Sequence, residues 1–133
     1  MQTTRSEQRE KIMNILYQIE IYKSGNIPYN TDDVMKENLP VLSEFVKEIV
    51  YGVGTYYDEL SNLANEYLED WTIDRLDKTG GCILRMALYE LKFMDTPRIV
   101  VINEAIELAK KYSDESVRKM INAVLDKYIK ENE

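Results

Sequence analysis

The 133-residue chain has no histidine, a single cysteine, three prolines and five glycines. Without histidine, acid–base chemistry would fall to carboxylates, lysine or tyrosine, and no nucleophile stands beside a base in the pattern. Cys82 alone makes no internal disulfide and belongs to no Cys/His metal set; ahead of an apolar run, it reads as a small buried hydrophobe. Gly80-Gly81 lacks the lysine and hydroxyl of a phosphate loop. Glu104 and Glu107 share a helix face, but a carboxylate bundle site also wants Glu-x-x-His pairs. These absences exclude an enzyme, a cofactor and a metal from the expectation. No run of about 18 apolar residues exists, and Met1-Gln2-Thr3-Thr4-Arg5 leads into charge, so no membrane span or signal peptide is readable and a cytoplasmic protein is expected.

Net charge is -7, which argues against coating nucleic acid by charge alone. Its distribution is uneven: residues 1–24 carry +1, residues 25–97 carry -8 and residues 98–130 carry +2. Any nucleic-acid surface is therefore expected at the two ends, and a basic partner on the acidic middle.

What is present is helical periodicity, with no strand-like alternation, repeat or linker. Thr4-x-x-Glu7 fits a capping box, and Ile12, Ile15, Leu16, Ile19 and Tyr22 make one buried stripe that ends at Gly25, suited to a left-handed exit. A loop with one or two helical turns follows, capped by Thr31 or Asp32. From Pro40 to Tyr67 the pattern predicts one helix of about 28 residues, near 40 Å long. Gly52 and Gly54 in its middle imply close helix contact or a bend. Trp71 to Leu76 reads as a short turn with a large aromatic to bury, and Lys78 to Gly81 as a loop. Ile83–Leu91, a helix begun by Thr96-Pro97 with the stripe Ile102, Ala105, Ile106 and Ala109, and Val117–Tyr128 complete an antiparallel bundle. The tyrosines other than Tyr17 lie mostly on such stripes and read as core. Asn103 is expected to bond a loop carbonyl or a partner, and Glu107 to pair with Lys111 at i,i+4. The expectation is an all-α fold of about seven helices in one domain, 1–133, with N-terminal helices in 1–68 and C-terminal helices in 71–130. Two three-helix sub-bundles would share a core.

At Ile83-Leu84-Arg85, Tyr89-Glu90-Leu91, Ile102-Asn103-Glu104-Ala105-Ile106-Glu107-Leu108-Ala109-Lys110 and Val124-Leu125-Asp126 the chain resembles the NusB family of bacterial transcription antitermination factors. Leu16-Tyr17, Val50-Tyr51-Gly52-Val53 and Trp71 with Arg75-Leu76 extend the likeness over about Arg5 to Tyr128. The resemblance implies binding of single-stranded boxA RNA in a heterodimer with NusE, a small-subunit ribosomal protein, within the RNA polymerase antitermination complex on ribosomal RNA operons.

Arg5, Arg9 and Lys11 read either as a solvated helix start or as a phosphate-contacting edge; the resemblance favours RNA at Arg5 and Arg9. Relatives often have successive arginines, where this chain has Arg5-Ser6-Glu7-Gln8-Arg9. Tyr17, off the stripe, offers a stacking platform for an unpaired base. Arg118 and Lys119 extend the positive strip or are merely solvated. The resemblance also implies a partner surface around Gly80, Arg85 and Glu90 with Glu115, Ser116 and Met120, helped by the acids Asp74 and Asp77. Two rivals remain: an interaction module that holds NusE or forms a homodimer without RNA, and a NusB-like domain of an rRNA methyltransferase. An end at Glu133 without a cofactor domain argues against the second.

Overall fold

The computed structural model describes residues 3–133. Seven helices and one 3-10 turn make up its regular structure: α1 (Arg5–Ser24), α2 (Thr31–Asn38), α3 (Glu44–Thr55), α4 (Tyr57–Tyr67), the turn Ile73–Arg75, α5 (Lys78–Phe93), α6 (Arg98–Tyr112) and α7 (Glu115–Glu131). No strand occurs among the described residues, and the fold is all-α as the periodicity implied.

Helix starts are fixed by short polar side chains. Thr4 and Glu7 form the expected capping box: the Thr4 hydroxyl accepts from Glu7 N–H, and the Glu7 carboxylate accepts from Thr4 N–H. Asn30, Ser43, Asp77 and Asp114 cap α2, α3, α5 and α7 in the same way, each accepting from the backbone N–H three residues on. Asn30 thus takes the place expected of Thr31 or Asp32. α6 differs: Pro97 stands at its cap position, and the Thr96 hydroxyl donates to Glu90. At the end of α1, Asn26 takes the left-handed conformation (φ 53°), while Gly25 stays at φ -92°.

Several expected boundaries shift. Residues 78–81 are the first turn of α5 and not a loop, because Asp77 caps them. The single long helix is two, since Tyr56 (φ -104°, ψ 25°) breaks the chain between α3 and α4. Gly52 is the close-contact position: a Cβ there would come within 2.2 Å of the Tyr89 ring, whereas one at Gly54 would meet nothing within 4 Å. Trp71 is not buried but 48% exposed. Tyr29, Tyr51, Tyr56 and Tyr112 are also exposed, against the expectation that they are core.

α5 organises the molecule. Every residue from Gly80 to Leu91 is buried, and α1, α3, α4, α6 and α7 all pack on it. α1, α2 and α3 form one sub-bundle, and α5, α6 and α7 the other, with α4 against both α5 and α7. Leu84 and Leu88 are wholly enclosed, and burial of each such side chain contributes about 2 kcal/mol. α6 buries Val101, Ala105, Leu108 and Ala109, leaving Ile102 and Ile106 half-buried at the edge of the expected stripe.

Candidate nucleic-acid and partner interface

The residues singled out at the two ends of the chain divide sharply by burial. Arg9 occupies a position of α1 three before Ile12 and seven before Leu16, which carries it inward. Its guanidinium donates to both oxygens of Glu90, at 3.1 Å from Nε and 2.5 Å from Nη2, and both side chains are almost inaccessible. Glu104 lies 3.8 Å away, and Phe45 lies under the guanidinium at 5.1 Å from ring centroid to Cζ. Thr96 donates a further bond to Glu90. The pair ties α1 to α5, so Arg9 presents no charge to a phosphate and Glu90 presents none to a partner. Both expectations of exposure are corrected here, because the two charges neutralise each other inside the fold.

Arg5, one turn earlier, is exposed and places its guanidinium over the same ring, 4.0 Å from the Phe45 centroid. It makes no ion pair among the described residues. Lys11 is exposed on the outer face of α1. Tyr17 is 40% exposed, as its place off the stripe implied. Arg118 and Lys119 both face Glu115, at 3.7 and 3.4 Å, so part of their charge is compensated locally.

Between α1 and α6 lies a polar seam. Glu10 accepts from Lys111 Nζ at 3.0 Å and from the Tyr112 hydroxyl. The Tyr112 and Lys111 bonds hold the Glu10 carboxyl below its usual range, and the same contact raises Lys111. Lys111 therefore pairs with Glu10 and not with Glu107, which pairs with Lys110. Ser6 donates to Glu104. Asn103 is exposed, with no side-chain bond among the described residues.

The expected partner residues are brought together only in part. Gly80 is buried: a Cβ there would meet Val117 of α7 and the capping Asp77 at 2.6 Å, so the glycine permits α5 and α7 to approach. That junction sets Gly80 beside the start of α7, where Glu115 and Ser116 are exposed and Met120 half-buried. Arg85 faces elsewhere and is buried. It donates to the Ser61 hydroxyl, lies 3.7 Å from Asp74 and covers the Tyr57 ring at 4.2 Å. Burial and a Glu20 hydrogen bond raise the Tyr57 hydroxyl, and burial pushes the Cys82 thiol up to about 12, which keeps it an inert apolar group.

Two features are absent from the sequence reading. Trp71 lines an open hollow of about 350 Å³ with Tyr67, Ser116, Lys119 and Met120. Phe45 is the platform that Arg5 and Arg9 share. An aromatic adjoining an apolar run looks like core in sequence, and only the fold shows which cations lie on it.

The model of the NusB family matches residues 6–130. The transcription antitermination protein NusB of Staphylococcus aureus (strain JH9) is 42% identical over 123 residues, covering 92% of this chain and 95% of that protein. Among solved structures, NusB of T. maritima superposes with a TM-score of 0.85 at 32% identity, over 98% of this chain and 94% of that one. A crystal structure of antitermination factors NusB and NusE in complex with dsRNA shares the fold at 24% identity and a TM-score of 0.81, over 96% of each chain. A match of this breadth in both sequence and fold means that the chain belongs to the NusB family.

Proposed function

We propose that this chain is a transcription antitermination factor that binds boxA RNA, as a single strand, together with NusE, and so helps RNA polymerase resist termination on ribosomal RNA operons. The observation that carries the reading is the 42% identity to a transcription antitermination protein over nearly the full length of both chains. Its mechanism is assembly, with no catalytic step and no cofactor: each protein supplies part of one RNA surface. It would act in the cytoplasm, where the nascent transcript is; no helix among the described residues is long and apolar enough to cross a membrane. The chain acts as one domain, since a continuous core runs from Ile12 to Tyr128 through both sub-bundles.

In this reading Arg5 and Lys11 meet phosphates, Tyr17 stacks on a base, and Arg118 and Lys119 add a weaker positive end. Arg9 sets the position of Arg5 by holding Phe45 and the start of α1 in place. The start of α7, with Glu115, Ser116 and Met120 beside Trp71, faces NusE. The test is fluorescence anisotropy of a labelled boxA RNA with this protein, with NusE and with both, using a duplex of the same sequence as competitor. The mixture is expected to bind far more tightly than either part and to prefer the single strand. If NusE binds the protein while its RNA affinity stays unchanged, the chain is a holding module and the RNA role is lost.

A further inference from the structure

Under Arg5, where the starts of α1 and α3 face the turn between α5 and α6, lies an open hollow of about 580 Å³. Its apolar wall includes Phe45, Phe93 and Val100, and its rim carries Arg5, Glu48, Asp95 and Glu104; Glu48 accepts from the Tyr89 hydroxyl at 3.4 Å. Phe93 and Val100 are each 37% exposed, unusual for such side chains flanking a fully packed helix. Phe93 is also held in place, stacked on Tyr56 with centroids 4.5 Å apart and tilted against Tyr89 at 5.0 Å. A fixed aromatic face beside open space is a stacking platform that costs little ordering on binding.

The polar groups of the rim differ in availability. Glu104 accepts from Ser6 and lies near Arg9, so its acceptor capacity is partly used. Asp95 is exposed and accepts no hydrogen bond among the described residues, and Arg5 donates none. The hollow thus offers one cation without an ion pair, Arg5, one carboxylate that accepts no hydrogen bond among the described residues, Asp95, two carboxylates already engaged, Glu48 and Glu104, and an aromatic wall. A phosphate alone would meet the acids, and a lysine or arginine from a protein would meet Arg5. A nucleotide satisfies Arg5, Asp95 and the wall together: its phosphate suits Arg5, its ring suits Phe93 and Val100, and an amino group on its edge suits a carboxylate.

We propose that this hollow binds one splayed base of single-stranded RNA, with the phosphate against Arg5, the ring on Phe93 and Val100, and an edge N–H donated to Asp95. This rests on the RNA-binding reading and adds to it a base-selecting site separate from Tyr17. Asp95 makes it selective when the donor is an exocyclic amine: adenine, cytosine and guanine carry one, whereas the edge donor of uracil, N3–H, is flanked by two carbonyl oxygens that a carboxylate repels.

The experiment is an anisotropy titration of boxA RNA and of its single-position base replacements against the protein with NusE, for wild type, Phe93→Ala and Asp95→Ala. Phe93→Ala is expected to weaken binding about tenfold, the usual scale for loss of one stacked base. Wild type is expected to disfavour uracil about tenfold at one position, as for loss of a charge-assisted bond. Asp95→Ala, an exposed change that spares the fold, is expected to abolish that preference and leave the other positions within twofold. Wild-type affinity and base preference in both variants would overturn the site while leaving the RNA role intact. If instead the variants keep RNA binding and lose NusE, the hollow holds a basic protein side chain and the proposal is wrong. Absence of RNA binding in the wild-type mixture would remove this site and the proposed function together.

Discussion

Arg9 and Arg5 have the same side chain one helical turn apart and opposite fates, and the difference is a matter of partner geometry. Arg9 lies between Glu90 and the Phe45 ring with its charge neutralised, whereas Arg5 lies over the same ring without an ion pair among the described residues. Removing one member of a buried pair strands the other, so Arg9→Ala or Glu90→Ala is expected to cost about 3–5 kcal/mol in urea unfolding. Replacing both with leucine should restore most of that, because the desolvation cost disappears with the pair. Arg5→Ala should cost only its contact with Phe45, about 0.5–1 kcal/mol, and act chiefly on RNA affinity. Glu10 yields a prediction in pH. Its carboxyl is held below the ordinary 4.5 by Tyr112 and Lys111, so the folded state favours the ionised form. The stabilisation is then complete above the unfolded value and is lost as pH falls through the lowered folded one. Thermal unfolding of wild type and Glu10→Gln should differ at pH 7 and converge as pH falls through the lowered folded value. Neither cluster was legible locally. Glu90 lies 81 residues from Arg9, and Lys111 lies 101 from Glu10. One signal did exist for Arg9: its spacing from Ile12 and Leu16 continues the buried stripe, and its charge hid that.

At the scale of elements, caps and stripes were readable because their causes are local: Thr4 and Glu7 bond each other, and Ile12, Ile15 and Leu16 share a face by spacing alone. The break at Tyr56 was not readable. Apolar spacing carries on from Val53 to Leu60 and Ala64 across it, so the phase of the pattern survives while the axis changes. The glycines of α3 separate the two effects. Gly52→Ala places a methyl against a Tyr89 ring that is itself packed against Phe93, and overpacking of this kind costs about 1–3 kcal/mol. Gly54→Ala meets open space in a helical conformation and should stabilise by about 0.5–1 kcal/mol. Denaturant midpoints of the two variants, moving in opposite directions, would check this; equal shifts would mean that Tyr89 is free to swing away. Asp77 also misled in isolation. It reads as surface acid, yet it caps α5 and accepts from Ser113, tying the start of α5 to the end of α6.

For the whole molecule, the proposed RNA role requires an acidic protein to hold a polyanion, and the state of each cation limits how it could do so. Arg9 is spent inside the fold, Lys111 is committed to Glu10, and Arg118 and Lys119 lean on Glu115. Arg5, Lys11 and Lys23 are the exposed positive groups of α1 without an ion pair among the described residues, and Lys23, at the far end of the helix, lies over the Tyr57 ring, which leaves Arg5 and Lys11 near its start. Each phosphate contact to a single strand contributes about -0.7 to the slope of log affinity against log salt. Two contacts predict a slope of about -1.4 for this protein alone, shallow for an RNA-binding protein and consistent with a net charge of -7. The complex with NusE should be steeper by whatever the partner's cations add. Anisotropy across a salt series would measure both. Arg5→Gln with Lys11→Gln should flatten the slope of the protein alone to near zero and lower that of the complex by about 1.4, with urea unfolding shifted by no more than the lost Arg5–Phe45 contact accounts for. A double variant that keeps its slope would place the phosphate contacts on the compensated cations of α6 and α7, and the RNA path would then run over that side of the molecule instead.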